Sequence, residues 1–273
     1  MTTDVRNAVH PGDFAVLSPE ALRGRFLLTD LFEAGQVRFA LSQQDRLLVG
    51  GALPAGGRLD LVAPPEIRSQ SLCDRREVGV VCLSGAGSVE TDGHVHDVTA
   101  EDIVYAGQGT NHITVTGDAT FYLVSAPAHR ALPTTLIRRG DADSVQVGEA
   151  NKASLRTIRK YVHEQGVRSC ELALGITTLE PGSVWNTMPC HTHDRRTEVY
   201  LYFDLPAAER VVHLCGEPGR TRSLIVADQQ AVISPPWSVH TGAGTAPYRF
   251  VWATAGENLA YDDMDPVATD QLL

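Results

Sequence analysis

Apolar residues recur along this chain in short runs, and nearly every run is closed by glycine, proline or a cluster of small polar residues. Glu77–Leu83, Thr120–Val124, Val199–Phe203, Arg222–Val226 and Tyr248–Trp252 are rich in β-branched or aromatic residues, which suit a pleated, half-buried surface and predict strands. Helical periodicity is scarce. Pro19–Phe26 can open a short helix with Ser18 as its cap. The stretch from 127 to 157, with Pro133, Gly140 and several charges, reads as a bridge. The expected organisation is therefore all-β, two antiparallel barrels or sandwiches in tandem with few short helices. The boundaries expected are 1–125 for the first barrel, 126–160 for the bridge and 161–273 for the second.

An internal repeat supports the tandem reading. Cys73-Asp74-Arg75-Arg76-Glu77-Val78 resembles His193-Asp194-Arg195-Arg196-Thr197-Glu198, and Asp102 through His112 resembles Gln230 through His240. Registering the halves sets Glu77 against Glu198 and His112 against His240, with Leu72 and Cys73 where a histidine pair stands in the second copy. The first copy is thus expected to have lost its site.

The second copy carries the chemistry. His191 and His193 are two apart, so on one strand both imidazoles can approach a single ion. Glu198 cannot share that face at five positions' distance. The polar stretch from Asp194 to Thr197 turns the chain, Glu198 faces the ion from the next strand, and His240 closes the site from a remote one. Neutral imidazoles with one carboxylate suit zinc, iron, manganese, nickel or cobalt, whereas calcium and magnesium prefer oxygen shells. His94, His96 and Glu101 repeat the spacing. They follow the turn Asp92-Gly93 and are expected to serve a hairpin instead.

Composition narrows the function classes. With 273 residues, 43% of them hydrophobic, the chain can bury one large core or two of ordinary size. The start, Met1-Thr2-Thr3-Asp4-Val5-Arg6, has no apolar run, so neither a membrane span nor a secretory leader is expected. Five cysteines without a Cys-x-x-Cys pair argue against a disulfide framework and for a reducing cytoplasm. A net charge of -10 disfavours nucleic acid as a partner.

The paired motifs resemble a bicupin, two jelly-roll barrels in one chain, although Leu205 and Trp237 stand where the general cupin pattern has glycine and Gly182 lies further than usual from His191. A narrower resemblance accounts for the departures. Trp185 through His193, Ala231 through His240, Gly256-Glu257-Asn258 and Asp262-Asp263-Met264-Asp265 are similar to the 5-dehydro-4-deoxyuronate isomerase family, and the likeness runs from Asp45 to the acidic tail. It implies a cytoplasmic enzyme of pectin and uronate breakdown that converts 5-dehydro-4-deoxy-D-glucuronate to 3-deoxy-D-glycero-2,5-hexodiulosonate. It also implies one zinc ion on His191, His193, Glu198 and His240, and assembly as a homohexamer.

An aldose to ketose conversion needs charge stabilisation for an enediolate and a proton shuttle. Alternation sets Glu198, Tyr200 and Tyr202 on one strand face, so both tyrosines should line the metal cavity. The shuttle candidates are Lys160, Tyr200, Tyr202, Asp262 and Asp263. The substrate's carboxylate calls for Arg156, Arg159, Lys160, Arg195 or Arg196, and Trp185, Asn186 and Asn258 are further pocket candidates, with Trp185 and Trp237 equally suited to wall or core. Two other readings fit the same ligands: an iron-dependent bicupin dioxygenase, which would consume oxygen, and a non-catalytic sugar-binding bicupin.

Overall fold

The structure is a computed structural model that describes residues 3–273. Strands dominate it, and the expected strands fall on Arg76–Ser84, Thr120–Pro127, Arg196–Phe203, Arg222–Val226 and Arg249–Gly256, with Tyr248 just before the last. The helix Pro19–Phe26 begins with proline after Ser18, whose Oγ accepts the Ala21 amide at 3.1 Å, and buries Leu22 and Phe26. No helix among the described residues is long and apolar enough to cross a membrane.

The chain divides into two compact units. One comprises the chain up to Arg6, Asp30–Asp143 and Lys160–Leu174; the other comprises Asn7–Thr29, Ser144–Arg159 and Gly175–Leu273. These units differ from the boundaries drawn at 125 and 160. The difference has two sources: Leu27–Leu28 adds a strand beside Gln230–Ser234, and the expected bridge itself contains strands at Thr135–Ile137, Asp143–Val147 and Arg156–Val162.

Each unit repeats one plan. In the first, Thr120–Pro127, Arg76–Ser84 and Ile103–Ala106 are consecutive neighbours in a seven-stranded sheet, and Arg58–Asp60, Ile113–Gly117, Ala86–Thr91 and His94–Thr99 form a four-stranded one. In the second, Arg249–Gly256, Arg196–Phe203 and Gln230–Ser234 take the same sequence of positions, and Trp185–Asn186, Val239–Gly244, Val211–Gly216 and Arg222–Val226 form the corresponding four-stranded sheet. A sheet has one face to bury, and two sheets facing each other supply the core.

The first unit corrects the repeat register. Val78, Val80 and Cys82 point into its apolar core with Cys73, Val104 and Phe121. Glu77 points to the opposite face, where its carboxylate accepts the Cys170, Glu171 and Leu172 amides at 2.7, 2.8 and 2.8 Å and the Tyr105 hydroxyl at 2.6 Å. The position matching Glu198 is therefore Val78, as pairing Arg75-Arg76 with Arg195-Arg196 without a gap requires. A one-residue slip sends every side chain to the other face. His112 is exposed and does not turn inward. His96 meets Thr91 at 3.2 Å across the hairpin whose turn residues, Asp92 and Gly93, both have positive φ. Glu101 pairs with Arg139 at 3.1 Å.

Candidate metal centre

The ligand strand is short. His191–Thr192 pairs antiparallel with Asp265–Pro266 from the acidic tail, and the chain turns at Asp194 and Arg195 before the strand Arg196–Phe203 begins. Glu198 is the third residue of that strand, registered between Ser234 and Thr254. His240 sits opposite Cys215 on Val239–Gly244. His193, Glu198 and His240 are buried and His191 is half-buried.

Four donor atoms converge. His191 Nε2 lies 3.1 Å from His193 Nε2 and 3.0 Å from His240 Nε2; Glu198 Oε2 lies 3.0 Å from His193 Nε2 and 2.8 Å from His240 Nε2. Adjacent donors around an ion held at about 2.0–2.2 Å sit about 3 Å apart, so the set fits a divalent transition metal. Proton placement points the same way. His193 Nδ1 donates to the Asp263 carbonyl at 2.8 Å and His240 Nδ1 lies 3.3 Å from the Ser238 carbonyl, which leaves both Nε2 lone pairs facing inward. Such a ring of lone pairs repels itself until a cation enters. Burial first, then His240 and His193, push the His191 imidazole down to about 2. Burial alone would raise the Glu198 carboxyl, but the facing His240 and His193 hold it well below the usual carboxylate range. Among the described residues this is the one group of three or more such side chains arranged to hold an ion.

The remaining candidates separate into those brought to the cluster and those held elsewhere. Tyr200 is buried with its ring 5.4 Å from that of His240 and its hydroxyl 3.0 Å from Thr187 Oγ1. Burial first, and the Glu198 charge second, raise its pKa well above the usual value, so its proton stays on. Tyr202 shares that face and lies 2.7 Å from His213 Nδ1. Asn186 is fully buried and donates to the Tyr248 hydroxyl at 2.7 Å.

Arg196, expected to meet substrate, is buried and donates to the Ala260 and Asp263 carbonyls at 2.6 and 2.8 Å. It braces the loop that orients His193. The Asp263 carboxylate accepts from Arg195 Nε at 2.7 Å and from Asn258, and Arg195, first among its neighbours, holds that carboxyl at about 2. Asn258 also accepts the Ala260 amide at 3.1 Å. Lys160 belongs to the other unit, where it pairs with Asp143 at 2.7 Å. It lines a cavity of about 660 Å³ with Asp141, His163 and Gln165. Trp185 is half-buried at a strand end, and Trp237 packs against Phe14 at 5.3 Å. Burial lowers the pKa of Arg156, which lies near Tyr200, Tyr261 and Tyr248 and donates to the Ser154 carbonyl at 2.9 Å. His213 and Tyr248 were missed by sequence reasoning. The alternation Val211, His213, Cys215 was the available signal, and it needs the strand's inward face to be known.

Two barrels of one plan, with three imidazoles and one carboxylate converging inside the second, define a tandem cupin. The chain belongs to the KduI/IolB family, whose profile matches residues 40–268. It is 49% identical to the 4-deoxy-L-threo-5-hexosulose-uronate ketol-isomerase of Kineococcus radiotolerans, over 98% of this chain and 99% of that one. To the enzyme of the same name from Caldicellulosiruptor bescii it is 44% identical, with the same coverage. Among solved structures it resembles an IolB-like protein from Salmonella typhimurium, with a TM-score of 0.72 at 18% identity over 86% of this chain and 94% of that one. It also resembles Bacillus subtilis oxalate decarboxylase, described with Mn(II) centres, with a TM-score of 0.56 at 12% identity over 79% and 70%. These two likenesses establish the fold.

Proposed function

We propose that this chain is a metal-dependent ketol-isomerase that converts 5-dehydro-4-deoxy-D-glucuronate to 3-deoxy-D-glycero-2,5-hexodiulosonate in the breakdown of pectin and uronates. The observation that carries the reading is the inward ring of His191, His193, Glu198 and His240 in a chain nearly half identical to an enzyme of that name. The reaction moves a proton between a hydroxyl-bearing carbon and its carbonyl neighbour, and a bound divalent ion supplies the positive charge that the enediolate needs. Zinc is the metal proposed, since imidazole and carboxylate suit it and it brings no redox chemistry of its own.

The protein's own residues have distinct parts. Tyr200 keeps its proton beside His240 and offers a hydroxyl donor to a substrate oxygen. The Asp263 carbonyl and Arg196 orient His193. Arg156, near Tyr200 and Tyr248, supplies the positive charge for the substrate's carboxylate: Arg195 and Lys160 are paired with acids and Arg196 is held by two carbonyls of the loop behind His193, whereas Arg156 spends one N–H on the Ser154 carbonyl. Five free cysteines suit a cytoplasmic location. The assembly proposed is a homohexamer, on the family resemblance, and light scattering checks it.

The test offers the keto sugar to zinc-loaded protein under nitrogen and follows the product by NMR in heavy water. Conversion with solvent deuterium at the accepting carbon supports the enediolate route. Absence of any conversion rejects the assignment, and oxygen-dependent consumption of an aromatic substrate would replace it with a dioxygenase.

A further inference from the structure

Beneath Tyr200 a chain of buried hydrogen bonds ends in two atoms with nothing to bond. Asn186 and His213 are both 0% exposed. The Asn186 amide nitrogen donates to the Tyr248 hydroxyl at 2.7 Å and to the Tyr202 hydroxyl at 3.4 Å. Tyr248 passes its own proton to the Gly242 carbonyl at 3.2 Å, which can only accept. The Tyr202 hydroxyl, receiving from Asn186, donates to His213 Nδ1 at 2.7 Å. With Tyr202 as the donor to Nδ1, His213 carries its hydrogen on Nε2, and with its nitrogen turned to the two tyrosines Asn186 presents Oδ1 as an acceptor. Neither Nε2 nor Oδ1 has a protein partner.

Leaving a buried donor and a buried acceptor unmet costs about 1–3 kcal/mol each, and two at the ends of one connected chain point to a group that completes them. The chain is closely packed at Gly242, which stands opposite His213 in register: a Cβ there would come within 3.0 Å of Val211, 3.1 Å of the Tyr202 hydroxyl and 3.3 Å of the Asn186 amide nitrogen, so glycine is what keeps those hydrogen bonds in place. Tyr200 stands between His213 and a metal ligand: its ring lies 6.0 Å from that of His213 and 5.4 Å from that of His240.

We propose that His213 and Asn186 form a hydroxyl-reading floor of the second barrel, which receives the C3 hydroxyl of the substrate and so sets stereochemical specificity. The inference rests on the isomerase reading for the identity of the sugar. The chemistry of the pair selects the group. A carboxylate would set its charge against the Asn186 oxygen, and an ammonium would meet the His213 N–H, whereas a hydroxyl both accepts and donates. In the linear substrate C1 and C2 react, C4 is deoxy, C5 is a ketone and C6 is the acid, so C3 bears the one remaining hydroxyl. It is also the stereocentre shared by substrate and product. Asn186 and His213 are specificity residues, not shuttles of the transferred proton.

The experiment uses the full chain loaded with zinc. Turnover of the natural sugar and of its C3 epimer is compared in the wild type and in His213→Leu. Calorimetry measures binding of the C1-reduced, non-reacting sugar and of the same probe lacking the C3 hydroxyl. The wild type should favour the natural sugar by about 100-fold or more in kcat/KM, as expected of a site built to hydrogen-bond a hydroxyl. His213→Leu should narrow that gap to within about threefold with metal content unchanged, and His213→Gln, which keeps a donor and an acceptor, should restore part of it. Equal handling of the two epimers by the wild type overturns the proposal, as does a full gap retained in His213→Leu. If His213→Leu fails to fold, the wild-type comparison decides alone. If the wild type turns over neither epimer, the isomerase reading falls separately, and equal affinity for the two reduced probes then overturns the floor as well.

Discussion

His193 Nδ1 lies 2.8 Å from the carbonyl oxygen of Asp263, a residue 70 positions further along the chain. That one contact joins the ligand strand to the acidic tail and decides which imidazole nitrogen faces the ion. Arg196 donates to the same carbonyl at 2.8 Å and to that of Ala260 at 2.6 Å, so it fixes the loop that fixes His193.

Replacing Arg196 should therefore act on the metal before it acts on the substrate. Arg196→Lys is expected to weaken metal retention by about 10- to 100-fold, the usual effect of removing an outer support of a ligand. Competition against a chelator measures it. Unchanged metal affinity with a raised KM would return Arg196 to substrate binding.

His193→Ala should remove metal and turnover together, since it takes out one of four converging donors and leaves Glu198 beside only one imidazole. His96→Ala should spare both, because His96 meets Thr91 within a hairpin of the other unit. Metal content by elemental analysis distinguishes the two variants, and zinc lost from His96→Ala would move the site.

Glu77→Gln should destabilise the protein by about 2–4 kcal/mol. Its carboxylate gathers three consecutive amides and a tyrosine hydroxyl, and an amide group would turn a donor toward donors. Denaturant unfolding reads the loss, and a change below about 0.5 kcal/mol, the range of an ordinary surface substitution, would show that the 170–172 segment does not depend on it.

Asp102 links stability to acid. Burial alone would raise its pKa, but the Thr99 and Arg139 amides and the Arg138 guanidinium, at 3.0, 2.9 and 2.9 Å, hold it lowered. A carboxyl lowered in the fold stabilises above its unfolded pKa of about 3.9 and loses that contribution as pH falls through the folded value. Asp102→Asn should thus cost about 1–3 kcal/mol at pH 7, with the gap to wild type closing as the pH falls below the ordinary carboxylate range. A gap that stays constant from neutral to acid pH would contradict the linkage.

The strands were legible because alternation is local: Glu198, Tyr200 and Tyr202 share a face by period alone, and the structure keeps them so. The ligand set was legible for a related reason. His-x-His on one strand, with a carboxylate past a turn, needs only short-range geometry, whereas His240, on a remote strand, rested on its donor chemistry and on the family resemblance. Glu77 was not legible, since a slip of one residue between the copies costs nothing in sequence yet reverses its face.

What the sequence determined alone, then, was the all-β tandem plan and the residues able to grip one ion, because side-chain period and donor chemistry are properties of neighbouring residues. Tertiary structure alone decided that Asn7–Thr29 pack with the second unit and that Arg195, Arg196 and Asp263 serve the loop behind His193. It also decided that His213 lies beneath Tyr200. These outcomes depend on which distant segments meet, and strand pairing across tens of residues is settled by the burial and hydrogen bonding of the whole sheet.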